Sequence, residues 1–206
     1  ALTLALLGST ALVPSRAGAQ EPAAGPDVAG AYARSFTYER TQAYDDAIRA
    51  LAPVYDAVPN GYTVNLRMGW LFYLNGNYSN SITHYEVAEA AAPGALEPRL
   101  GHLLPLLAQE RWADAEALGY QVVSADHFSY YGNLRLAIAL RMQGKLDAAY
   151  QVALKMITAY PTDVLHLVEF ARIVDARGDA PEAARLFREI LILDPENEAA
   201  RQYLGG

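Results

Sequence analysis

Residues 62–95 read YTVNLRMGWLFYLNGNYSNSITHYEVAEAAAPGA. Leu66, Gly69, Trp70 and Tyr73 recur at i, i+3, i+4 and i+7, the spacing of one face of an α-helix. After the turn Asn75-Gly76-Asn77, a second stripe follows in Tyr78, Ile82, Tyr85 and Ala88. Gly76 suits the left-handed residue that ends a helix, and Pro93 stops the second helix because its ring cannot continue one. The stretch predicts a helical hairpin with two apolar stripes. A lone hairpin cannot bury both.

The pattern returns every 34 residues: the residue opening the second helix is Tyr44, Tyr78, Trp112, Leu146 and Ala180 in turn. Three residues further on stands a small side chain, Ala47, Ser81, Ala115, Ala149 or Ala183. Glycine precedes the opening residue by two at Gly76, Gly144 and Gly178, with Gln42 and Glu110 in the other two slots. Proline closes the unit at Pro59, Pro93, Pro161 and Pro195, and His127 takes the remaining place. From Val28 to Asn197 no insertion or deletion is needed. A period of this length implies stacked hairpins, each burying its stripes on its neighbours. The expected fold is all-α, an α-solenoid of five helix-turn-helix units (28–61, 62–95, 96–129, 130–163 and 164–197) plus a short C-terminal capping helix over 198–206. Tyr203 and Leu204 would cover the last apolar face.

These motifs resemble the tetratricopeptide repeat (TPR) family over 28–197, about 170 of the 206 residues. The second unit carries Met68-Gly69, Phe72, Gly76, Tyr78, Ile82, Tyr85, Ala88 and Pro93 in family-like places, and the fifth carries Gly178-Asp179, Ala183, Phe187 and Asp194-Pro195. Units one and three depart most. Arg34-Ser35 replaces the usual Leu-Gly, Leu103 stands where a small residue is typical, and Pro105 falls inside a first helix, where a kink or local widening is expected.

The resemblance implies a non-enzymatic protein-interaction scaffold whose first helices line a concave groove. On that reading Tyr32, Phe36, Arg67, Trp70, Tyr73, Tyr131, Arg135 and Arg141 are the candidate partner-binding residues, aromatic anchors set among arginines as in protein-binding hot spots. The same stripe of Trp, Tyr and Leu also fits side chains packed between adjacent units. TPR domains that grip a chaperone's C-terminal carboxylate carry a Lys/Asn/Arg clamp. Matching places here hold Tyr32, Phe36, Leu66, Arg67 and Trp70, so that clamp is absent.

Composition narrows the function further. The chain is 52% hydrophobic, and its 23 acidic against 16 basic residues give a net charge of -7, which argues against nucleic acid or anionic lipid as a charge-driven partner. With no cysteine there is no disulfide, thiolate metal site, cysteine nucleophile or lipoprotein anchor. His84, His102, His127 and His166 show no metal-ligand spacing, and no nucleophile elbow or phosphate loop is present, so neither enzyme activity, a cofactor nor a metal is expected. Asp45-Asp46 and the acids of 194–198 coincide with helix starts, where carboxylates meet free backbone N–H groups.

Ala1 to Val13 is an uncharged apolar run, and Ala17-Gly18-Ala19 follows as a small-residue cleavage site. Residues 1–19 are therefore expected to be a secretory signal peptide whose basic start precedes Ala1, with a retained anchor as the alternative and 20–27 as a linker. The run falls short of the roughly 20 residues that span a bilayer. The expected location is the bacterial periplasm. The expected role is an adaptor or assembly factor binding a protein partner, a peptide segment or a subunit of an envelope complex. It would meet the membrane only through that partner or a retained N-terminal segment. A permanent accessory subunit of a membrane-associated complex and a component of an envelope polysaccharide export system are the alternatives.

Overall fold

The structure, a computed structural model, describes residues 25–205. Residues 1–19, expected to be a signal peptide, and most of the expected linker 20–27 lie outside the described residues. Among these there are eleven α-helices and no strand: α1 (Val28–Arg40), α2 (Tyr44–Ala57), α3 (Tyr62–Leu74), α4 (Tyr78–Ala91), α5 (Glu97–Ala108), α6 (Trp112–Ala125), α7 (Tyr130–Met142), α8 (Leu146–Ala159), α9 (Val164–Ala176), α10 (Ala180–Leu193) and α11 (Glu198–Leu204). The fold is an all-α solenoid.

Local chemistry sets the helix ends. Asp27, Asn77, Asp163, Asp179 and Asn197 each accept a hydrogen bond from the backbone N–H three residues on, capping α1, α4, α9, α10 and α11. Asp45 and Asp46 lie in the first turn of α2, where the helix dipole favours negative charge. The turn inside every hairpin needs one left-handed residue. Gly76, Gly144 and Gly178 supply it at φ +73°, +73° and +93°. Gln42 and Glu110, in the same repeat slot, adopt it too, at φ +59° and +57°.

The two helices of a hairpin cross where side chains are smallest. Ala47, Ser81, Ala115, Ala149 and Ala183 are all fully buried at 0% exposure, one per unit. At the second crossing the Ser81 hydroxyl donates to the Gly69 carbonyl at 2.7 Å, and a Cβ on Gly69 would lie 2.9 Å from the Tyr85 ring. A tighter approach follows in the third unit, where a Cβ on Gly101 would fall 2.2 Å from that same ring. Tyr85 of α4 is thus wedged between α3 and α5.

Stacking follows the chain, each helix packing on the next. In addition α3 touches α5, α5 touches α7 and α7 touches α9, whereas no two even-numbered helices make comparable contact. The odd-numbered layer is the tighter one, so the array bends toward it and the odd helices form the inner, concave side. Burial is distributed along the stack rather than central. One cluster joins Leu51 and Val54 to Val64 and Leu71, a second centres on Leu103, Leu106 and Val122, and a third runs from Leu136 to Ala200. The third is closed by α11: Ala200 is buried and the Tyr203 ring stacks on Phe187 at 4.3 Å.

Unit three absorbs its irregular residues without losing the helix. α5 starts at Glu97 with Pro98 in its first turn, stays helical through the buried Pro105, and buries Leu103 completely. No described helix is long and apolar enough to cross a membrane.

Candidate functional site

Side chains on the inner face of α1, α3, α5, α7 and α9 come from fixed places in each first helix, and two ion pairs cross unit boundaries at the same spacing. Arg67 pairs with Glu39, and Arg141 pairs with Glu169 through Nε to Oε1 at 2.7 Å and Nη2 to Oε2 at 3.3 Å. Both pairs are 28 residues apart, but their polarity is reversed: the acid comes first in one and the base first in the other. Tyrosines at the first place of α3 and α7 add parallel ties. The Tyr62 hydroxyl donates to Glu97 at 2.7 Å and the Tyr130 hydroxyl to Asp163 at 2.8 Å, and burial together with the accepting carboxylate pushes each phenol up to about 12.

The eight candidate residues divide by what they already touch. Arg67 is buried at 9% exposure, hydrogen-bonds Ser35 as well as pairing with Glu39, and lies beneath the Phe36 ring at 3.9 Å. It sits below the surface of the groove, because the small Ser35 of α1 leaves a slot that the guanidinium fills. Trp70 is half-buried and donates its indole N–H to Glu39 at 2.7 Å, joining units one and two. Tyr32 packs at the edge of the first cluster, where burial raises its phenol pKa. Arg141 is held by Glu169, a carboxylate with only 3% of its side chain exposed. Burial pushes the Glu169 carboxyl above its usual range, and the arginines beside it pull it back down.

Four candidates remain open on the inner face. Phe36 is 48% and Tyr131 50% exposed, Tyr73 is half-buried and tilted against Trp70 at 5.7 Å, and Arg135 is half-buried. The Arg135 guanidinium lies 5.0 Å from the Tyr131 ring centroid and donates to the Leu100 carbonyl of the preceding first helix. Burial lowers its pKa, and the groups opposing that shift are the phenols of Tyr85, Tyr131 and Tyr73. Among the described residues no carboxylate lies within salt-bridge distance of it. The site therefore consists of an aromatic surface with one uncompensated cation near its centre.

The four histidines are dispersed. The His84 Nδ1–H donates to Asn65 Oδ1 (2.8 Å) and its ring stacks on Phe72, His166 packs edge-on to Tyr130, His102 is half-buried, and His127 is exposed. No group of three or more potential metal ligands occurs among the described residues.

Sequence reasoning placed Tyr85 in a core stripe and so missed its part in the site. Its ring is buried at 2% exposure, yet its hydroxyl end reaches Gly101 on the inner layer. The signal was present in two glycines, Gly69 and Gly101, that leave room for one ring. The role of Glu39 and Glu169 as internal counter-ions also escapes the sequence reading, and the signal for it is the 28-residue spacing that both share with an arginine.

Residues 37–95 match the sequence profile of the tetratricopeptide repeat family. The match is a TPR segment. It covers the second helix of unit one and all of unit two. No curated protein is significantly similar to the chain in sequence. Solved structures share the fold at low identity. MamA from Desulfovibrio magneticus RS-1 superposes with a TM-score of 0.73 at 18% identity, over 85% of this chain and 99% of that one. YrrB, described as a TPR protein with an unusual peptide-binding site, gives 0.68 at 12% identity over 87% and 93%. TTC0263, a thermophilic TPR protein of Thermus thermophilus, gives 0.68 at 13% over 85% and 96%.

Proposed function

We propose that the chain is an exported, non-enzymatic scaffold that seats a segment of a protein partner in its concave groove, acting as an adaptor or assembly factor in the bacterial periplasm. The observation that carries this reading is the inner face itself: the half-exposed Tyr131 ring stands beside the half-buried Arg135 on α7, and the half-exposed Phe36 ring lies over Arg67 on the α1 side. Exposed aromatic rings beside partly desolvated arginines are the composition of interface hot spots. The TPR segment at 37–95 supports a protein rather than a small molecule as the ligand, and the peptide-binding site described for YrrB is a precedent on the same fold. Export rests on the apolar run 1–13 and the Ala17-Gly18-Ala19 site.

The test is a pull-down of the chain from envelope extract, compared with Tyr131→Ala. Tyr131 packs edge-on to Tyr130 but is half exposed, so its loss leaves the helical signal unchanged and removes the captured protein. Equal capture by both forms refutes the groove. A partner that co-purifies in fixed stoichiometry, and without which the chain loses its fold, makes it a permanent subunit of a complex instead. Detection of the tagged chain in the cytoplasmic fraction alone refutes export.

A further inference from the structure

The inner face carries a register that one arginine does not complete. Residues 28 apart hold corresponding places on successive first helices: Glu39 and Arg67, Tyr73 and Gly101, Leu107 and Arg135, Arg141 and Glu169. In the first and last of these an arginine meets a carboxylate. At the third, the arginine has the same place in the helix as Arg67 but the corresponding place before it holds Leu107, and its guanidinium turns to the Leu100 carbonyl and the Tyr131 ring instead. Arg172 of α9 is half exposed and lies 3.9 Å from Glu169. Arg135 alone has a hydrogen bond to a carbonyl, three phenols around it and no counter-charge among the described residues.

We infer that Arg135, with Tyr131, Tyr73 and the hydroxyl of Tyr85, forms a receptor for one carboxylate side chain, an Asp or Glu within a segment of the protein partner. This rests on the groove reading above and names the chemistry that the groove selects. Three observations specify the ligand. Arg67 and Arg141 on this face are both satisfied by carboxylates, one of them through two nitrogens, so a carboxylate is the group that the partly buried arginines of this face take. The chain as a whole carries a net charge of -7, which leaves Arg135 as a local positive centre in an acidic molecule and sets where an acidic segment can dock. The site lies mid-array, with the inward-facing, partly buried Leu100 and Leu104 on one side and the exposed Tyr131 ring on the other, so apolar residues flanking the acid have surfaces to meet.

The register also supplies its own competitor. Leu107→Glu puts a carboxylate at the place in α5 that Glu39 holds in α1, for Arg135 to turn to as Arg67 turns to Glu39. That variant should fold, and it should fill the site from within.

The experiment is selection from two phage-displayed random dodecapeptide libraries, one with blocked and one with free carboxyl ends, on the folded chain, Arg135→Gln and Leu107→Glu. The expected result is that the blocked library yields peptides with an Asp or Glu beside an aromatic or aliphatic residue. Synthetic versions of these should bind roughly tenfold or more weakly to both variants, as for loss of one member of a desolvated charge pair, and more weakly as salt is raised. Enrichment without an acidic preference, unaffected by Arg135→Gln, overturns the carboxylate receptor and leaves the groove reading standing. Enrichment from the free-end library alone overturns it in favour of a C-terminal carboxylate. Failure to enrich any peptide that Tyr131→Ala rejects overturns the groove reading and the receptor together. If Arg135→Gln loses its helical signal, Leu107→Glu decides: an unchanged affinity there overturns the receptor.

Discussion

The most direct perturbation of the folding argument is Glu110→Gly. Glu110 occupies the turn slot that Gly76, Gly144 and Gly178 fill in other units, and it holds φ +57° with an exposed side chain that makes no hydrogen bond. A residue with a Cβ pays roughly 1–2 kcal/mol to sit in the left-handed region. Glycine removes that strain but loses more freedom on folding, by about 0.5–1 kcal/mol. The difference leaves Glu110→Gly more stable by about 0.5–1 kcal/mol, or about 2–3 °C in melting temperature for a chain of this size. Gln42→Gly, at φ +59°, should gain a similar amount, and the two should add because a whole unit lies between them. Gly76→Ala runs the comparison backwards. A Cβ there would meet nothing within 4 Å, so its loss of about 1 kcal/mol would be conformational strain alone. The assay is urea unfolding followed by circular dichroism, with Glu110→Ala as the control that keeps the strain and removes the side chain. If Glu110→Gly is no more stable than Glu110→Ala, the turn slot is not strained and the reasoning fails.

Other outcomes follow from single contacts. Gly101→Ala drives a methyl to within 2.2 Å of the rigid, buried Tyr85 ring and should cost about 1–3 kcal/mol, seen as a lower urea midpoint at unchanged slope; a neutral result would mean that α4 and α5 can separate freely. Arg141→Met strands the buried Glu169 and should cost about 2–4 kcal/mol, whereas Arg141→Met with Glu169→Leu should recover most of it, a coupling that a double-mutant cycle reads directly. Burial lowers the pKa of His84, His102 and His166, so the unfolded chain binds these protons more readily than the folded one. Their contribution is therefore intact above the ordinary histidine pKa of about 6.5 and is lost as pH falls below it. Melting temperatures between pH 7.5 and 5 should fall, and more shallowly for His166→Gln; equal slopes would show that His166 does not titrate differently on folding.

The helical hairpins and their stacking were legible because periodicity is a property of the chain alone. The opening residues Tyr44, Tyr78, Trp112, Leu146 and Ala180 are the first residues of α2, α4, α6, α8 and α10. The turn slot was read as a glycine preference, but its conformational demand emerged only at Gln42 and Glu110, where the backbone obeys the repeat and the side chain does not. Pro105 alone predicts a kink or local widening, and the structure adds that α5 remains one helix through it, with the proline buried.

The candidate site was legible as a composition and not as an arrangement. Trp70 and Arg67 have the residue types of a hot spot, but Glu39 recruits both into the boundary between units one and two. No rule about residue type distinguishes them from Tyr131 and Arg135, because availability depends on what the preceding unit places opposite. Arg135 differs from Arg67 by having leucine rather than glutamate 28 residues earlier.

The reversed polarity of the two internal ion pairs also bears on how a chain of similar hairpins avoids assembling in the wrong order. Any first helix could, by shape, dock against any other. If unit five were to follow unit one directly, Glu39 and Glu169 would face each other at the 28-residue register, two carboxylates with no cation between them. Unit four in front of unit two would set Arg141 against Arg67, an equally repulsive junction. The charges act as keyed ends that admit the native neighbour and penalise these two shuffled ones. Skipped or exchanged units, the characteristic misfolding hazard of repeat chains, are thereby discouraged before the apolar seams close.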